Sequence, residues 1–307
     1  MNQGDAVQVV SVSTTSPFSK PDVRPVAGCK VKIVHSKGNS YPATDLWNGK
    51  YEAIIPESEL LPGATFKVDI QVPGSAHIVS DSDQIQECPE VDSVYYMLKE
   101  IPTSNLYYFT KGIQFYLDFD AGNISSRNFR FDLIETWEYT AAFVDKLHYV
   151  CWLTMKIRNI FTLSTKNQTG NKYNFYPLHF VDNYSSQRLR YGYSLLVNQY
   201  SLSETASQYW KKMKINNEEQ GGLYESQPNQ IQGNMHNLSD PTRQVLGFFG
   251  ASSKRSKRIF VSNVPDLPNE YIDCRPVTDP NEDHNPECDD CTAKVGGTNV
   301  KPVLWPR

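Results

Sequence analysis

Two cysteines three positions apart stand near the end of this sequence, Cys288 and Cys291 in the segment CDDCTAKVGGTNVKPVLW, 288–305. Cysteines at this spacing bind zinc, exchange disulfides or cross-link a chain. Zinc takes four nitrogen or sulfur ligands in a tetrahedron. Cys274, His284, Cys288 and Cys291 supply four, although the interval from Cys274 to His284 is unusual for such a site. A thiol-exchange centre needs its first cysteine at a helix N-terminus, where the thiol pKa falls. Here TAKVGGTN and Pro302 follow, which is poor helix material. Asp289 and Asp290 between the thiols would raise a thiol pKa rather than lower it. The third reading is a clasp, with Cys274, Cys288 and Cys291 disulfide-bonded in a loop-rich tail and Cys151 as a further partner. A clasp needs only an oxidising compartment. The acidic run DPNEDHNPECDD invites calcium but lacks the register of a calcium-binding loop.

Other chemistry is sparse. Glu135 and Glu138 flank Trp137 and could form the carboxylate pair of a glycosidase. On a strand, residues three apart point to opposite faces, so two surface or edge carboxylates are the simpler expectation. The basic run SSKRSKR, 252–258, could touch phosphate or lipid. It reads more simply as a solvated link between two strands. Aromatic residues make up 12% of the chain, with 18 tyrosines, enough for a sugar-stacking platform or for ordinary sandwich packing. No nucleophile elbow, zinc-protease helix, P-loop or dinucleotide fingerprint is present. The residues therefore point to no catalytic group and no cofactor.

The 307 residues carry a net charge of −4 and a mean hydropathy of −0.51. That balance does not suggest nucleic-acid binding, and no apolar run is long enough for a membrane-spanning helix. The first residues, MNQGDAVQVVSVSTTSPF, have neither a basic start nor an apolar core of a secretion signal. The protein is either cytosolic or begins further upstream. Length favours two domains.

Period-two patterns dominate. In ATFKVDIQV, Phe66, Val68, Ile70 and Val72 share a face, and an LPG turn precedes them. KVKIV alternates before the HSKGNS turn, and a second turn falls at Asn48–Tyr51. These features predict an immunoglobulin-like or prealbumin-like β-sandwich over 1–90, ending in a linker ECPEVDS. A larger β-rich domain, 91–307, follows. Ile113, Phe115, Leu117 and Phe119 form one stripe. Phe129, Phe131, Leu133, Trp137 and Tyr139 form another, interrupted by Glu135. Tyr191, Tyr193, Leu195 and Val197 form a third. VLGFFGAS and KRIFVS predict a late strand pair. One amphipathic helix is expected near 202–220, with Ser201 and Glu204 as its capping box. Ala206, Tyr209, Trp210 and Met213 make its apolar stripe, and Gly221–Gly222 its stop. The fold class is thus mainly β with one well-defined helix.

The tail pattern C-x-x-C-T-x-x-x-G-G-T-N-x-K-P-x-x-W, the blocks TWEY (136–139), CW (151–152), RYGYSLLVNQYSLS (190–203), GGLYESQPNQIQGNMHN (221–237) and LGFFGASSKRSKRIF (246–260) occur in the order found in a Bacteroidota family. The sequence resembles these uncharacterised outer-membrane lipoproteins, encoded beside TonB-dependent receptors, over nearly its whole length. The resemblance implies a non-enzymatic accessory protein at the cell surface. It would be held by an N-terminal lipid, and would capture a ligand for a TonB-dependent receptor or dock on that receptor, its partner. The resemblance implies a signal peptide, a lipidated cysteine and a first strand of the 1–90 sandwich upstream of this sequence. A hydrolase acting on surface glycans or peptides, or a structural or adhesive sandwich, are the alternatives. The resemblance also matches Cys151, Cys274, Cys288 and Cys291 to the family's usual cysteines, favouring the clasp. Cys29 and Cys88 are then extras, able to pair within the first domain.

Overall fold

The computed structural model describes the chain except residues 4, 17–21, 75, 104–107, 144–147, 184–186, 219–230, 268–273, 275–284 and 307. The period-two runs become strands because alternate side chains point to opposite faces, so one apolar stripe can be buried whole. In the first unit these strands are β1 (Val7–Ser11), β2 (Lys30–His35), β3 (Ser40–Pro42), β4 (Lys50–Ile54), β5 (Thr65–Val72) and β6 (Ala76–Ser80). One sheet runs β6–β5–β2–β3, all antiparallel, and β4 pairs with β1 in a facing sheet. Val31, Ile33, Phe66, Val68 and Ile70 from the first sheet meet Tyr51, Ala53 and Ile55 in one core. The turn into β4 depends on Gly49, at φ 75°, where a Cβ would lie 2.6 Å from Pro25 Cβ.

The second unit begins with β7 (Ser93–Pro102), β8 (Phe109–Asp120), β9 (Asn128–Thr140), β10 (Val150–Lys156), β11 (Phe161–Ser164), β12 (Lys172–Asp182) and β13 (Gly192–Ser201). The chain continues with α1 (Glu204–Glu218), β14 (Met235–Asn237, which joins the first unit), β15 (Ser252–Ser262) and β16 (Gly297–Thr298). A three-stranded sheet, β7–β8–β12, faces a larger one ordered β15–β13–β9–β10–β16, with β11 also on β9. Ile113, Phe115, Leu117 and Phe119 of β8 are each 1% exposed or less, as are Phe129, Phe131 and Leu133 of β9. These stripes face each other in the second core. The mainly β architecture, with one α-helix among the described residues, is the one the sequence predicts.

Several local expectations need correction. The segment ECPEVDS is not a free linker. Cys88 is buried, and its Sγ lies 3.6 Å from the Gln199 carbonyl oxygen on β13, while Val91 enters the second core. VLGFFGAS is not a strand before Ser252, and SSKRSKR is not a link. The basic run is itself the first part of β15, antiparallel to β13 and parallel to Asn2–Gln3. Backbone pairing, which is blind to side-chain polarity, sets this strand. The helix is capped by Ser203 rather than Ser201: Ser203 Oγ accepts from the Ala206 N–H at 3.1 Å. Ser201 ends β13 and donates its hydroxyl to the Gln86 carbonyl at 2.6 Å. Gly221 and Gly222 lie outside the described residues.

The chain also returns to its first unit. β14 pairs antiparallel with β6, and Phe249 and Ala251 complete the first core. Asn234 fixes this return, donating to the Phe249 carbonyl and accepting from its N–H, both at 2.9 Å. The 1–90 segment therefore supplies most, and not all, of its own sandwich.

Candidate functional site

The cysteines come first, because they fix the tail. Cys151 is bonded to Cys291 and Cys274 to Cys288, each pair with Cα atoms 5.8 Å apart. Three members of the proposed zinc set are thus disulfide sulfurs, and the fourth, His284, lies outside the described residues. Among the described residues, no group of three or more His, Cys, Asp or Glu side chains is placed to hold a metal. Cys29 and Cys88 do not pair: both thiols are free and buried. Cys29 belongs to the first core, whereas Cys88 faces Gln199 of the second unit, so the two cannot meet. Burial pushes the Cys88 thiol up to about 11, which keeps it protonated and unreactive at neutral pH.

The residues between the cysteines build short turns. The Asp290 side chain caps Cys291–Ala293, accepting from the Thr292 N–H at 2.8 Å, and its other oxygen meets His148 Nδ1 at 2.9 Å. The His148 and Thr292 hydrogen bonds hold the Asp290 carboxyl at about 2. Tyr139 donates its hydroxyl to the Cys291 carbonyl at 2.7 Å. Gly297 passes so close to this hydroxyl that a Cβ would sit 2.0 Å from it. There the tail pairs with Trp152 and Leu153 as β16. Trp305 ends up against Gly192 and edge-on to Phe260, donating its indole N–H to Glu138 at 3.0 Å.

The two carboxylates on β9 take opposite faces. Glu138 is on the outer face under Trp305. Glu135 is not at a surface or an edge: it is 4% exposed, inside the second core. Its Oε2 accepts from the Tyr193 hydroxyl at 3.0 Å, and its Oε1 lies 3.4 Å from Arg188, whose guanidinium sits 5.0 Å from the Trp137 ring centre. Burial raises the Glu135 pKa, while Arg188 and Tyr193 pull it back. Burial, with the Arg188 charge, lowers the His179 pKa to about 4. Glu135 and Glu138 cannot flank one scissile bond, because the sheet lies between them.

The basic run does not form a free cationic patch. Lys254 pairs with Asp5, Arg255 with Glu90 at 2.6 Å, and Arg258 donates to Ser194 Oγ at 2.7 Å. Lys257 donates to the carbonyls of Val91 and Asp92. Lys254, Arg255 and Lys257 thus serve the joint between the units, and Arg258 stays within the second sheet.

A concave site lies on the outer face of β9, where α1 crosses it. The helix start is tied down by Glu204, which accepts from Asn128 at 3.0 Å and pairs with Lys166. Ala206 packs on Tyr200 and Leu202, and Trp210, one turn on, packs against the same cluster. Tyr209 stacks on Phe248, ring centres 4.6 Å apart. Trp210 therefore reaches over Arg130, whose guanidinium lies 4.1 Å from the Trp210 ring centre and 4.7 Å from that of Tyr200. Such cation–π contacts contribute about 0.5–2 kcal/mol each, more as water is excluded. Asp132 meets Arg130 at 3.4 Å and Lys156 at 2.9 Å. With Met155, Ile157, Arg158, Asn159 and Ile160 from the end of β10 and the turn after it, these residues line a groove of about 530 Å³. Its volume falls in the range of small-molecule sites, about 300–1,000 Å³. The sequence flagged only Trp210, as part of a helix stripe. Arg130 and Asp132 occupy the polar positions of a half-buried strand, a pattern that solvent alone would also satisfy.

The family model for the domain of unknown function DUF4249 matches residues 1–258, and the chain belongs to that family. No curated protein matches it.

Proposed function

We propose that this member of the DUF4249 family is a non-enzymatic accessory protein of the outer membrane. It stands at the cell surface on an N-terminal lipid and assists a TonB-dependent transporter by capturing a ligand for it. The observation that carries this reading is the doubly disulfide-bonded tail, Cys151–Cys291 and Cys274–Cys288. Disulfides of this kind persist outside the reducing cytoplasm. The groove under α1 supports capture over pure adhesion, since a concave site with apolar walls and a few convergent polar groups is the form a binding module takes. The enzyme alternative loses its one sequence-based motive, because Glu135 and Glu138 face apart.

The test is surface labelling of intact cells expressing the natural gene, followed by crosslinking and mass spectrometry. The reading predicts labelling of the protein by a membrane-impermeant reagent, metabolic incorporation of a fatty acid, and crosslinks to a β-barrel receptor. Recovery of an unlipidated protein from the cytosol would overturn it.

A further inference from the structure

The groove under α1 has a chemical bias that specifies its ligand, an inference that rests on the ligand-capture reading. We infer that it binds a ring-bearing oxyanion: a carboxylate, phosphate or sulfate carried on an aromatic or sugar ring. Three cations, Arg130, Lys156 and Arg158, line it against one carboxylate, Asp132. The lining is thus net positive on a chain whose net charge is −4.

Arg130 is the centre of this bias. Tyr200 and Trp210 hold its guanidinium, and its side chain is only 17% exposed. A guanidinium pinned in this way presents its N–H groups without further loss of freedom, and planar oxyanions match that fork. Its bond to Asp132 is long, at 3.4 Å, so its Nη2 is only weakly committed to that carboxylate. Lys156, 60% exposed, can turn from Asp132 toward an incoming charge. The groove holds about 530 Å³, far more than an oxyanion fills. Trp210, Met155 and Ile160 supply the apolar wall for the remainder, and aromatic walls favour rings.

The test is calorimetric titration of the full chain with benzoate, phenyl phosphate, phenyl sulfate, glucuronate and glucose 6-phosphate, with phenol and glucose as neutral counterparts. At least one anion should bind saturably, its neutral counterpart about tenfold or more weakly, and the affinity should fall with added salt. Arg130→Gln should abolish binding. Because that substitution also removes packing, the exposed pair Lys156→Gln and Arg158→Gln is the second variant. It should weaken binding about fivefold or more with an unchanged melting temperature. The comparison of anions tells which oxyanion and which ring are preferred. Equal binding of phenol or glucose, lost on Trp210→Ala, would overturn the anion assignment and leave capture standing. No saturable binding by any anion up to about 10 mM would overturn the inference. The surface location and receptor contact would still be decided by labelling and crosslinking.

Discussion

The two cores of this protein are closed by different means. The first is finished by chain that returns as a strand: β14 pairs with β6, and Asn234 holds Phe249 in place through two backbone bonds. Its cysteine, Cys29, stays a free thiol used as a small apolar side chain. The second core is finished by a tail whose regular elements, among its described residues, are two three-residue 3-10 turns and the two-residue β16. Such a tail makes few backbone ladder bonds, and here two disulfides hold it. The difference teaches that a covalent bond appears where secondary structure is too sparse to secure a closing segment, and not where a strand can do so.

The largest effect should come from the longer bridge. Cys151→Ser opens a loop of 140 residues and should cost about 2–5 kcal/mol in chemical denaturation. Hydrogen exchange should show the loss around β10 and β16 with the first core unchanged. Equal loosening of both cores would break the comparison.

Acid should act next, and on the second core. His179 titrates at about 4 in the fold against an ordinary 6.5. A lowered folded pKa gives stability that is present above pH 6.5 and lost as pH falls toward 4. The loss should be roughly 2–3 kcal/mol, less where water screens the ring. His179→Gln should flatten that part of the stability profile, as read by urea denaturation across this window.

Asn234→Ala tests the first core's hydrogen-bonded closure. It leaves the buried N–H and C=O of Phe249 unpaired and should cost about 1–3 kcal/mol, with the disulfides intact. Trp305→Ala should have the smallest effect, about 1 kcal/mol, because it removes one hydrogen bond to Glu138 and a lid over Gly192. Proteolysis of the tail would accelerate only if the disulfides were also reduced.

What was legible in the sequence is what burial writes with a period. The stripes through Phe66, Ile113 and Phe129 could be read because a core face tolerates few polar residues. The helix could be read from Ala206 and Trp210, though its cap moved to Ser203, since Ser201 is spent on Gln86. The basic half of β15 was unreadable: Lys254 and Arg255 are neutralised by Asp5 and Glu90, far off in sequence, and its order comes from the backbone. Glu135 looked like a flaw in a stripe and is a buried group paired with Tyr193, a partner no local pattern reveals. The cysteine partners were beyond spacing for the same reason, with Cys151 and Cys291 joined across 140 residues. The groove depends on Arg130 meeting Trp210, a coincidence of the fold rather than of either segment.

The measurement that tests the account most directly is a count of free thiols by intact mass. Protein from its native compartment is denatured without reductant and alkylated. Two alkylated cysteines, mapped to Cys29 and Cys88, is the predicted result, with the other four reacting only after reduction. Six alkylated cysteines before reduction would contradict the clasp, and with it the extracytoplasmic reading built on it.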